Sequence, residues 1–139
     1  MNILDENITN SQRKHLESWR IPFRQIPFEV GREGMKDDEI IPMLHQLNDP
    51  TFFTLDDDFF HPRFRHPKYC LVHLDVHGQD AAEYIRRTLK HPDFDTKAKR
   101  MGRIIRVSPT GLSVWKIHAE EKESFTWNVS KKLNKKRKN

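Results

Sequence analysis

Apolar positions in this chain fall in short runs, each closed by charged or turn-forming residues, and their period changes along the sequence. Ile3 and Leu4 form the first run and end on Asp5 and Glu6, which reads as a strand with acids at its carboxyl end. Asn7 to Asn10 is turn-like. Thr9 or Asn10 can cap a helix reaching about Trp19, with Leu16 and Trp19 facing inward at a spacing of three. Ile21 to Val30 alternates roughly but contains Pro22 and Pro27, which donate no ladder bond, so an edge-like or interrupted strand is expected. After a loop at residues 31–34, Asp37 opens a second helix in which Ile40, Met43, Leu44 and Leu47 keep helical spacing. Pro42 falls early enough to be tolerated, and Asn48, Asp49 and Pro50 stop it. Thr51 to Leu55 is β-branched and aromatic, a buried strand running into Asp56, Asp57 and Asp58.

His61 to Lys68 reads as a basic, proline-containing loop and Tyr69 to Val76 as a strand ended by Gly78. Asp80 to Lys90 follows as an amphipathic helix with Ala81, Tyr84, Ile85 and Leu89 on one side. Arg103 to Val107 and Leu112 to Ile117 flank a turn signal at residues 108–111, which predicts a hairpin. Residues 120–128 are ambiguous, and no internal repeat is visible. Strands alternating with helices, closed by a hairpin, predict an α/β fold: three layers, α/β/α, around a mainly parallel sheet.

The 139 residues make one domain with a real core. No run approaches the ~20 apolar residues of a membrane span, and the first residues lack a basic start followed by an apolar stretch, so neither membrane nor signal peptide is expected. Cys70 is the single cysteine; with no internal partner it fits a reducing, cytoplasmic setting. The net charge of +5 is uneven, because Lys131, Lys132, Lys135, Lys136, Arg137 and Lys138 crowd the last nine positions and leave the rest near neutral. Such a tail is expected to be disordered. It reads either as a solubilising end or as an electrostatic tether for nucleic acid.

Three acidic clusters remain: Asp5 with Glu6, Asp37 with Asp38 and Glu39, and Asp56 with Asp57 and Asp58. Two lie at the carboxyl ends of expected strands and the third opens a helix, so topology permits all three to meet on one rim, where open α/β sheets bind ligands. Carboxylates brought together repel one another unless a cation offsets them. Mg²⁺ and Mn²⁺ take oxygen ligands and can activate water against a phosphodiester. The plainer reading of the helix-opening acids is as partners of the helix dipole, and the residues alone leave that choice open.

Residues 3–7, Ile-Leu-Asp-Glu-Asn, resemble the opening strand of PIN-like domains of the short, toxin-associated type. Residues 34–41 are similar to that group's acidic helix start, and residues 53–59, Phe-Thr-Leu-Asp-Asp-Asp-Phe, to its third motif. The spacing is compatible, and the likeness covers about residues 1–117. The resemblance implies a PIN-like domain over 1–119, with 120–139 as a C-terminal extension carrying the basic tail. It implies Mg²⁺- or Mn²⁺-dependent hydrolysis of RNA, for many members as a toxin held by a small antitoxin; a homodimer stays open. Carried over by motif, Asp5, Asp37 and Asp56 are the catalytic metal ligands. Glu6, Asp38 and Asp58 are secondary ligands, and Asp38 would replace Asp37 if the register slips by one. Thr54 would orient Asp56 through its hydroxyl. The position before Asp56 is often basic in that group but is Leu55 here, which keeps alive a second reading as an inactive RNA- or protein-binding module.

Arg63 and Arg65, in the loop after the third cluster, together with the tail cations, are the expected RNA contacts. His73, Asp75 and His77 alternate and would share a face, a conceivable second metal site, though a strand emerging into solvent is the plainer reading. Cys70 reads as a buried small hydrophobe.

Overall fold

The computed structural model of the chain describes residues 1–127. A seven-stranded sheet in the order β2-β1-β3-β4-β5-β6-β7 forms the middle layer. Its strands are β1 (Asn2–Leu4), β2 (Arg24–Gln25), β3 (Thr51–Thr54), β4 (Cys70–Leu74), β5 (Ile104–Ser108), β6 (Gly111–Trp115) and β7 (Glu123–Phe125). The first five run parallel; β6 and β7 are antiparallel. The helices are α1 (Asn10–Ser18), α2 (Asp37–His45), α3 (Ala81–Lys90) and α4 (Lys97–Arg100).

Adjacent residues of a strand point to opposite faces, and the central strands carry apolar pairs that serve both. Leu4, Phe53, Val72 and Ile105 pack on one face with Leu16 of α1 and Ala82 and Ile85 of α3. Ile3, Phe52, Leu71 and Ile104 pack on the other with Ile40 and Leu44 of α2. This is the three-layer α/β/α arrangement expected from the strand and helix pattern. Gln12 links α1 to α3, its Oε1 accepting from the Ala82 N–H at 2.8 Å.

The crossovers have an uncommon feature. The chain passes from β1 to β2 over the α1 face in one direction, and from β4 to β5 over the same face in the other. Those two connections therefore have opposite hands, whereas parallel crossovers are nearly always right-handed. Placing α3 beside α1 leaves α2 as the one helix packed on the other face among the described residues.

Some elements depart from expectation. Only Arg24 and Gln25 of the 21–30 stretch pair with the sheet, because Pro22 and Pro27 bracket them without N–H donors. Residues 97–100 form a short helix, with Thr96 Oγ1 accepting from the Lys99 N–H at 3.2 Å. The domain does not end at 119. Strand β7 extends the sheet, and Trp127 Nε1 donates to the Ser108 carbonyl at 2.8 Å. A strand of two exposed residues and one half-buried one, Glu123–Phe125, shows no apolar alternation to read. Gly111 is required where β6 starts: its φ is +154°, and a Cβ there would lie 2.6 Å from the Phe125 carbonyl oxygen of β7. Among the described residues, no helix is long and apolar enough to cross a membrane.

Phe52 is fully buried, with its ring 5.2 Å from that of Phe59 in an edge-on arrangement. Replacing it with alanine should lower unfolding free energy by about 3–5 kcal/mol through lost burial and an unfilled cavity, read by urea unfolding. A loss under about 1 kcal/mol would contradict this packing.

Candidate metal centre

The acidic residues gather at the carboxyl rim of the parallel strands, on the α2 face. Two residues beyond the apolar row of that face lies a polar one. Thr54 is in register with His73, His73 with Arg106, Arg106 with Ser113, and Ser113 with Ser124. Asp5 continues the row past β1, its N–H donating to the Phe53 carbonyl at 2.9 Å.

Asp5 is buried, 8% exposed. Its Oδ2 accepts from Thr54 Oγ1 at 2.6 Å and its Oδ1 from the Glu6 N–H at 2.8 Å. Gln25 fixes the backbone here, with Nε2 donating at 2.8 Å to the carbonyls of Asp5 and Ile8 while its Oε1 accepts from Arg13 at 2.9 Å. Burial raises the Asp5 pKa; the Thr54 and Glu6 hydrogen bonds oppose this, and the charges of Glu6 and Asp56 add to it.

Asp37, Asp56 and Asp58 each offer a carboxylate oxygen, and these lie within 4.8 Å of one another. Asp37 is brought there at the first turn of α2, whose start is fixed by Glu39 Oε1 accepting from the Lys36 N–H at 3.2 Å. Glu6 helps deliver this helix, since its carboxylate accepts from the Gly34 N–H in the preceding loop at 3.1 Å. Asp56 caps a 3₁₀ turn, Asp57–Phe59, its Oδ1 accepting from the Asp58 N–H at 3.0 Å. The pKa of Asp37 is raised by partial burial first, then by the charges of Asp56, Asp58, Asp5 and Asp38.

The carboxylates brought together thus differ from the ligand set expected. Asp58, a secondary candidate by sequence, stands with Asp37 and Asp56. Asp5 lies outside that 4.8 Å group, although its charge reaches both Asp37 and Asp56. Asp38 is exposed and outside the group, whereas Asp37 is within it. Glu6 faces Gly34. Thr54 does not donate to Asp56; it donates to Asp5 and accepts from the Asp56 N–H at 3.0 Å, linking the two strand ends.

His73 is the residue sequence reading misplaced. It is 4% exposed, and its Nδ1 has no hydrogen-bond partner among the described residues. Burial lowers its pKa, with the charges of Asp75, Asp57 and Asp56 opposing. It does not form a site with Asp75 and His77: Asp75 accepts from Arg106 at 2.9 Å, and His77 is exposed at the start of another 3₁₀ turn. Strand alternation groups the three only if the strand continues, and β4 ends at Leu74.

Arg65, expected as an RNA contact, is half-buried and tied into the fold. Its Nη1 donates to the carbonyls of Lys116 and Ala119 at 3.0 and 2.7 Å, and it lies over the Trp115 ring, tying the loop to the end of β6. Arg63 is exposed, its guanidinium 4.6 Å from the Phe64 ring centroid. Lys131, Lys132, Lys135, Lys136, Arg137 and Lys138 lie outside the described residues. Cys70 is fully buried, which pushes its thiol up to about 12. Comparison with family models, curated proteins and solved structures gives no match for the chain.

The raised pKa of Asp5 sets a pH dependence. The folded protein holds this proton more tightly than the unfolded chain does. The resulting stability is complete below about pH 4 and is lost as pH rises through the native value; Asp37 has the same sign. Asp5→Asn removes the ionisation and leaves an oxygen to accept from Thr54. In EDTA, its unfolding free energy relative to wild type should move in the variant's favour from about pH 4 to about pH 7. A difference that stays level with pH would contradict the burial assigned to Asp5.

Proposed function

We propose that this chain is a divalent-metal-dependent ribonuclease of PIN-like type, acting in the cytoplasm. Asp37, Asp56 and Asp58 would hold Mg²⁺ or Mn²⁺, and Asp5 would complete the charge of the site. The observation that carries the reading is the convergence of three carboxylates from α2 and the β3 exit within 4.8 Å, beside a buried fourth. The donor set fits a hard cation, since every group is a carboxylate oxygen and their mutual repulsion calls for an offsetting charge. His73, whose Nδ1 has no hydrogen-bond partner among the described residues, adds a buried polar group in the adjoining row.

When bound, the ion supplies an activated water and offsets charge developing on a phosphodiester. The protein's own residues hold the geometry. Thr54 keeps the Asp5 carboxylate turned toward the β3 exit, and the 3₁₀ turn capped by Asp56 holds Asp58 beside it. The toxin role and antitoxin partner implied by the motif resemblance belong to the same proposal.

Purified protein with Mn²⁺ should cleave single-stranded RNA. Asp56→Asn and Asp58→Asn should each lower kcat/KM by at least about a hundredfold, since even groups that merely support ligands cost 10–100-fold. Cleavage by both variants at the wild-type rate would sink the assignment. A second reading, a module that binds RNA or protein without cutting it, is favoured by Leu55, which packs against the α1–α3 core where a cation would otherwise precede Asp56. In the same assay it predicts intact RNA, retained without metal and released by salt.

A further inference from the structure

The outer surface of α3, on the sheet face opposite the acidic rim, combines cations and aromatic rings that the proposed reaction does not use. Arg86, Arg87, Lys90, His91, Pro92 and Trp127 line an open cavity of about 200 Å³, and no carboxylate lines it. The Arg87 guanidinium lies 4.5 Å from the Trp127 ring centroid and 5.0 Å from that of Tyr84. Arg86 lies 3.9 Å from the Trp19 ring centroid and donates to Glu83 Oε2 at 2.6 Å, and the exposed Asp93 carboxylate lies 3.8 Å from His91 Nδ1. Both nitrogens of His91 are bonded within the fold, to the Thr126 carbonyl and the Asp93 N–H, so this ring serves as a wall. Lys90 is exposed and has no salt-bridge partner among the described residues.

Cations in the last turn of a helix commonly answer its dipole alone. Here they are interleaved with the rings of Trp19, which follows α1, and Trp127, two residues past β7, which dipole compensation does not require. Guanidinium planes and indole faces both accept a stacked base, while Arg and Lys N–H groups take phosphate oxygens. An acidic peptide would use the charges but not the ring faces. In sequence, Trp127 is followed within a few residues by the basic run 131–138.

We propose that this surface binds single-stranded polynucleotide, with phosphates on Arg87 and Lys90 and a base against the Arg87–Trp127 pair. The proposal does not rest on the acidic site, and it is tested with that site disabled. The full chain in EDTA is titrated with short oligo(U) at several salt concentrations, reading anisotropy of the labelled RNA and tryptophan emission. Wild type should bind with quenching of emission. Arg87→Gln/Lys90→Gln should bind roughly tenfold more weakly, and its salt slope should fall by about 1.4, the value for two single-strand phosphate contacts. Lys90→Gln alone, at an exposed position that leaves folding intact, should show about half that fall in slope. Unchanged affinity and slope in both variants would overturn the proposal, with the basic run then carrying all the binding. So would an oligoglutamate of equal charge that binds as tightly and quenches as strongly. Because metal and cleavage are absent, either result leaves the ribonuclease reading untouched.

Discussion

Everything at the carboxyl rim hangs on the register of four parallel strands. Ile3, Phe52, Leu71 and Ile104 stand side by side on one face, and Leu4, Phe53, Val72 and Ile105 on the other. All eight are buried. Sliding one strand by two residues would put a polar rim residue into an apolar row and an apolar one into solvent, at about 1.5–3 kcal/mol for each large side chain exposed. The hydrophobic rows therefore fix the next level up. Asp5, Thr54, His73 and Arg106 lie in one row because the residues beneath them cannot lie anywhere else.

That row is held against its own electrostatics. Asp5 is withdrawn from water while facing the charges of Glu6 and Asp56, and Asp37 meets three neighbouring carboxylates across the rim. Hydrogen bonds from Thr54 and the Glu6 N–H stabilise the Asp5 charge only in part. The arrangement persists because the apolar rows anchor each strand end from below and Gln25 clamps the backbone at Asp5.

The fold class was legible because each strand and helix carries its own local pattern. The paired apolar residues at 3–4 and 52–53 mark strands buried on both faces, and the α2 period from Ile40 to Leu47 is plain. What stayed hidden depends on partners remote in sequence. Helix α4 has one turn, too short for any period. Strand β7 is polar because it sits at an edge. The promotion of Asp58 arises from a 3₁₀ turn that folds its carboxylate back toward Asp56, which no spacing rule shows. The tie of Arg65 to the fold was hidden because its acceptors, the carbonyls of Lys116 and Ala119, lie about fifty residues away.

The two crossovers of opposite hand reach beyond topology. With α1 and α3 sharing one face, no described helix roofs the other face over the exit of β5 and the start of β6, and Arg106 and Ser124 stand exposed there. The polar row begins under the shelter of α2 and ends on an open ledge. A molecule laid along it is walled in at one end only. Along it the side chains pass from carboxylate through hydroxyl and imidazole to guanidinium, and end on two serines.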